Sequence, residues 1–160
     1  MTVIAWDGKT LVADKKAVRG DLMYRTTKIK KARSGELMGV CGAFNMGLQL
    51  FDWYDSGANK DKFPSCSGDD WARLVVIGTD LIIKTYEGKP FPIIVEEPFH
   101  AWGSGCSFAL AAMKMGADAV RAVEIASELS PECGLGIDTL VLDDYEQGKD
   151  ATNTEAPTTA

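Results

Sequence analysis

The apolar residues change period along the chain, and the order of those changes restricts the fold more than any other feature. Residues 2–6 alternate and predict a strand, and Asp7-Gly8 is a strong short hairpin signal. Residues 10–13 form the return strand, which ends at Asp14. A turn falls at Gly20-Asp21, with short strands expected over 22–24 and 25–29. After the Ser34-Gly35 turn, residues 36–41 read as an apolar strand ending at Gly42. The period then lengthens. Phe44, Leu48 and Phe51 predict a helix over 43–56, followed by a long polar loop to Asp70. Residues 74–77 and 81–86 form a second hairpin around Gly78-Thr79-Asp80, and 93–95 a short strand. A small-residue helix opens at 103–107 and carries Phe108, Ala111 and Met115 on one stripe. A further helix follows, with Asp118 as N-cap, Ala122, Ile125, Ala126 and Leu129 on one face, and Pro131 beyond its end. The last strand spans 136–142. Hairpins grouped on either side of helices exclude a strict βαβ alternation and predict antiparallel α+β layering.

At 160 residues the chain has the size of one domain; 46% hydrophobic and 25% charged residues exclude a fibrous or mostly disordered chain. The domain is expected over 1–147, and 148–160 reads as a disordered Thr/Ala/Asn/Pro tail. A net charge of −6 argues against nucleic acid or an anionic membrane as partner. The basic run 28–33 is a local exception. Four cysteines without a C-x-x-C pair, and one histidine, His100, allow no zinc motif. No apolar run approaches the length of a membrane span. The expected location is the cytoplasm, with free thiols.

Chemistry enters at Thr2. Removal of Met1, usual before a small residue, leaves an α-amine beside a hydroxyl on the same residue. An α-amine titrates near 7.7–8.0, so the nucleophile carries its own base. Asp14, at the end of the partner strand, can hold a nearby ammonium. Lys28, in Arg25-Thr26-Thr27-Lys28, can lower the pKa of the hydroxyl and orient proton transfer. Taken singly, Thr2 is an ordinary second residue, Asp14 a turn residue and Lys28 part of a solvated run.

Together these residues resemble the proteasome β-subunit family of N-terminal-nucleophile hydrolases, close to the bacterial HslV-type peptidase. The resemblance covers about residues 2–142. It matches the family's terminal Thr to Thr2, its aspartate to Asp14 in Val12-Ala13-Asp14, and its lysine to Lys28, with Lys30 the competing register. Gly39-Val40-Cys41-Gly42 resembles the strand whose last glycine N–H forms the oxyanion hole, which assigns that role to Gly42 and a substrate-pocket wall to Val40. Gly103-Ser104-Gly105-Cys106 resembles the family's Gly-Ser-Gly segment, implying that Ser104 bonds near the nucleophile's amine, with Gly105 in support.

One segment departs. The family's Asp-x-x-Ser-Gly-Gly aligns with 130–135, where Ser130, Cys133 and Leu135 replace Asp, Ser and the second Gly; Glu132 is the nearest carboxylate. The resemblance implies a four-layer αββα sandwich and a threonine endopeptidase working through an acyl-enzyme, with no metal or organic cofactor. The implied partners are further copies in a ring or stacked assembly, an ATPase unfoldase, and peptide or unfolded-protein substrates. The rival readings are an inactive scaffold subunit and an amidase for small amides.

Overall fold

The computed structural model describes residues 1–65 and 68–143, so the tail expected over 148–160 and the last residues of the expected domain lie outside the described residues. Strand β1 (Ile4–Trp6) turns at Asp7-Gly8 into β2 (Thr10–Asp14). The turn is closed by Asp7 Oδ1, which accepts the Lys9 and Thr10 N–H groups at 2.9 and 2.8 Å, and by Gly8 at φ +94°, a conformation glycine adopts without steric cost. The ladder starts at Ile4 rather than Thr2 because the Val3 N–H goes to the Asp14 carboxylate instead.

A strand absent from the sequence reading, β3 (Lys16–Arg19), pairs with β4 (Leu22–Arg25) in register Lys16↔Arg25. The expected strand over 25–29 is therefore corrected: the hairpin ends at Arg25, and β5 (Ile29–Lys31) begins a different sheet. Charged residues at both ends of β3 hid its pattern. Next come β6 (Leu37–Gly42), α1 (Phe44–Asp55), a 3₁₀ turn (Lys60–Lys62), β7 (Ala72–Ile77), β8 (Ile83–Tyr86) and β9 (Ile93–Val95). The second unforeseen strand, β10 (His100–Trp102), is three residues between Pro98 and Gly103, too short to show a period. The chain continues through α2 (Cys106–Lys114), α3 (Ala119–Leu129) and β11 (Ile137–Val141).

Among the described residues two antiparallel sheets result, with orders β10-β1-β2-β11 and β5-β6-β7-β8-β9, beside the separate β3-β4 hairpin. Three buried clusters tie them to the helices. Ile4, Trp6 and Leu11 pack with Leu37, Val75 and Ile77 from the other sheet. Val3, Ala5 and Val12 pack on Ala109, Met113, Ala122, Val123 and Ala126 of α2 and α3. Met38, Val40, Leu74 and Val76 pack under Met46, Leu50, Phe51 and Trp53 of α1. Alternate residues of β1 thus serve opposite faces, as a strand's period of two demands.

The Phe108, Ala111 and Met115 stripe is a correction. All three are exposed, and α2 buries Ala109 and Met113 instead. Small side chains explain this choice: Ala109, Ala119, Ala122 and Ala126 are fully buried, which lets α2 and α3 approach closely. On α3, Asp118 caps the helix as expected, accepting the Arg121 N–H at 2.8 Å, but Leu129 is exposed and Val123 takes its place in the core. On α1, Leu48 likewise faces out.

Candidate functional site

Asp14 is the node from which the site is built. It has no exposure to solvent, and its two carboxylate oxygens collect four donors. Oδ1 accepts the Val3 N–H at 2.9 Å and the Lys28 ammonium at 2.7 Å. Oδ2 accepts the N–H groups of Lys16 at 3.2 Å and Gly134 at 3.0 Å. One side chain therefore joins the start of β1, the start of β3, the segment before β5 and the loop before β11. Four donors in this way satisfy the lone pairs of a carboxylate that water does not reach.

Lys28 is only 2% exposed. Burial lowers its pKa from the ordinary lysine value, and the Asp14 charge and hydrogen bond only partly offset that. Its ammonium also donates to the Met1 carbonyl at 3.2 Å, the same oxygen that accepts the Thr2 hydroxyl. Lys30 leaves in another direction and pairs with Asp55 of α1 at 2.6 Å.

Thr2 is held from the opposite side by the segment before α2. Its N–H donates to Ser104 Oγ at 3.0 Å, and its carbonyl accepts the Gly105 N–H at 3.1 Å and the Ser104 hydroxyl at 3.3 Å. Close approach explains the glycines. A Cβ on Gly103 would strike the Thr2 carbonyl, and one on Gly105 would sit 2.7 Å from Cys133 Sγ. Gly42, at φ +103°, ends β6 beside Thr2; a Cβ there would lie 2.8 Å from Ala72 Cα and collide with the Trp71 carbonyl.

Two cavities meet at Thr2 and Gly42, and Met1 lines both. The first, about 240 Å³, has Val40, Lys28, Ala17, Tyr24 and Phe44 in its walls. Val40 is fixed by α1, since a Cβ on Gly47 would come within 2.9 Å of it. The second, about 300 Å³, is bounded by Ser104, Trp71 and Arg73. Larger cavities of about 620 and 610 Å³, beside α1 and α3, contain neither Thr2 nor Lys28.

The divergent segment is split. Ser130 and Cys133 are buried, while Glu132 is exposed and lines neither cavity. The Ser130 hydroxyl accepts the Glu132 N–H at 3.3 Å, and its carbonyl accepts the Cys133 N–H at 3.2 Å. Burial pushes the Cys133 thiol up, Asp14 adds to this, and the Ser130 and Ser104 hydroxyls pull the other way. Gly134, not a side chain of this segment, reaches Asp14. His100 packs edge-on against Trp102 at 4.9 Å, and burial lowers its pKa.

Residues beyond the sequence reading are Trp71, Arg73 and Glu87. Arg73 pairs with Glu87 at 2.6 Å and lies over the Trp71 ring at 5.2 Å. The predicted hairpin held a signal for the pair, because the register Leu74↔Tyr86, continued one step, sets 73 opposite 87.

No protein-family model matches the sequence, and no curated protein matches it significantly. Solved structures do. The chain superposes on Thiobacillus denitrificans BPH with TM-score 0.65 at 21% identity, covering 88% of this chain and 96% of that one. A complex of the same BPH with epoxomicin gives 0.63 at 19%, covering 88% and 97%. Eukaryotic HslV from Trypanosoma brucei gives 0.63 at 20%, covering 89% and 99%. The chain has the proteasome-like fold of these proteins. Among the described residues no helix is long and apolar enough to cross a membrane.

Proposed function

We propose that this chain is a threonine-type endopeptidase subunit of a self-compartmentalised assembly, with Thr2 as nucleophile once Met1 has been removed. The observation that carries the reading is the buried Lys28–Asp14 pair at 2.7 Å beside a Thr2 whose backbone is gripped by Ser104 and Gly105. A desolvated ammonium next to a hydroxyl favours the alkoxide developing on attack. A nucleophile tied on both sides is held in position for attack.

In this reading Thr2 Oγ1 adds to the substrate carbonyl carbon while its proton passes to the Thr2 α-amine. The Gly42 N–H receives the negative charge on the carbonyl oxygen. Collapse breaks the C–N bond, the α-amine returns the proton to the leaving nitrogen, and an ester remains on Thr2. Water then attacks the ester with the same amine as base. Lys28 stays charged throughout, and Asp14 holds it there. Val40 faces the acyl side of the substrate and favours apolar side chains.

The three clusters support a four-layer αββα order, with the helices outside two facing sheets. Epoxomicin bound to a BPH of the same fold supports a peptidase over a small-molecule amidase. The assembly is read as a homo-oligomer that takes unfolded polypeptide, fed by an ATPase. Hydrolysis of fluorogenic peptides by wild type, abolished in Thr2→Ala, tests the activity. Turnover undiminished in Thr2→Ala would refute it.

A further inference from the structure

The two cavities that meet at Thr2 are chemically unlike, and the reaction decides which half of a substrate enters each. The amine that takes the Thr2 hydroxyl proton must return it to the leaving nitrogen, so the leaving half lies on the amine's side. Thr2 N bonds to Ser104 Oγ at 3.0 Å, and Ser104 bounds only the 300 Å³ cavity. That cavity is therefore the leaving-group side. With Met1 in its wall its volume is at the low end for ligand pockets, about 300–1,000 Å³.

Its polar wall is Arg73. The guanidinium lies over the Trp71 ring and holds Glu87 through Nη2 at 2.6 Å. Its Nε is buried and has no hydrogen-bond partner among the described residues. A guanidinium carries five donors, and the Glu87 ion pair and the stacking on Trp71 do not use them all. Stacking and the ion pair fix its orientation before any ligand arrives, which lowers the cost of binding. Planar donors of this kind match a carboxylate.

We propose that Arg73 selects an acidic residue immediately after the scissile bond, so that preferred substrates are peptides with Asp or Glu at that position. This rests on the peptidase reading of Thr2. The test uses two quenched fluorescent peptides that differ only in Glu or Gln after the cleaved bond. Wild type is expected to favour the Glu peptide in kcat/KM by about tenfold, the scale of one charge-assisted hydrogen bond. In Arg73→Gln the ratio falls towards one. In Arg73→Lys, which keeps the charge without the fork, it falls only in part; this variant also serves if Arg73→Gln does not fold. Cleavage of both peptides at equal rates by wild type, or a ratio unchanged in the variants, overturns the inference and leaves the peptidase reading intact. Cleavage of neither overturns both.

Discussion

Replacing Asp14 with alanine removes four hydrogen-bond acceptances from a side chain with no solvent exposure. Lys28, 2% exposed, loses its counter-charge. Stranding one member of a buried ion pair costs about 3–5 kcal/mol. The Val3 N–H, in a residue with no exposure, adds about 1–3 kcal/mol as an unsatisfied donor. The total, about 4–8 kcal/mol, overlaps the lower part of whole-domain stability, about 5–15 kcal/mol. Lys28→Met is expected to behave differently. Asp14 keeps three backbone donors, so the loss is about 1–3 kcal/mol. The double variant Asp14→Ala with Lys28→Met removes the stranded charge and regains roughly 2 kcal/mol over Asp14→Ala. The assay is urea unfolding followed by circular dichroism at one fixed protein concentration, since assembly shifts apparent stability. Equal losses in the two single variants would refute the reasoning. So would a double variant no more stable than Asp14→Ala, because either result means that Asp14 does not organise the surrounding backbone.

Other outcomes follow from the same geometry. Burial lowers the Lys28 pKa, so between that value and 10.5 the unfolded chain binds the proton more than the folded one; stability attributable to Lys28 rises with pH there, and wild type gains on Lys28→Met in that window when unfolding is compared at several pH values. Gly103→Ala forces a Cβ onto the Thr2 carbonyl at φ +90°, and should cost about 1–3 kcal/mol by thermal unfolding together with most of the peptidase activity. Ser104→Ala removes both hydrogen bonds that its hydroxyl makes with Thr2, so unfolding should move by about 1–2 kcal/mol while kcat/KM falls at least tenfold. Burial raises the Cys41 thiol from 9.0 to about 11, so its alkylation at pH 8 should be roughly a hundredfold slower than that of an ordinary thiol, as read by peptide mass mapping.

The first hairpin was legible because Asp7-Gly8 and its flanking alternation specify a turn locally, without help from the rest of the chain. The helix faces were less so. Periodicity names a stripe, but tight packing of α2 on α3 selected the alanines and turned Phe108 and Met115 outwards. On a regular strand Lys28 and Lys30 would share one side, so alternation could not separate them; in the structure Lys28 pairs with Asp14 and Lys30 with Asp55, partners distant in sequence. Glu132 was a candidate by proximity to Ser130 alone, and the loop turns it to solvent. Arg73 carried no motif, because its meaning depends on β7 running past Thr2.

Intact mass of the purified protein with its own N-terminus, before and after a threonine-directed epoxyketone, tests the central claim most directly. Met1 is expected to be absent, and one inhibitor mass is expected on wild type and not on Thr2→Ala. Met1 retained, or Met1 absent with no adduct, would contradict it.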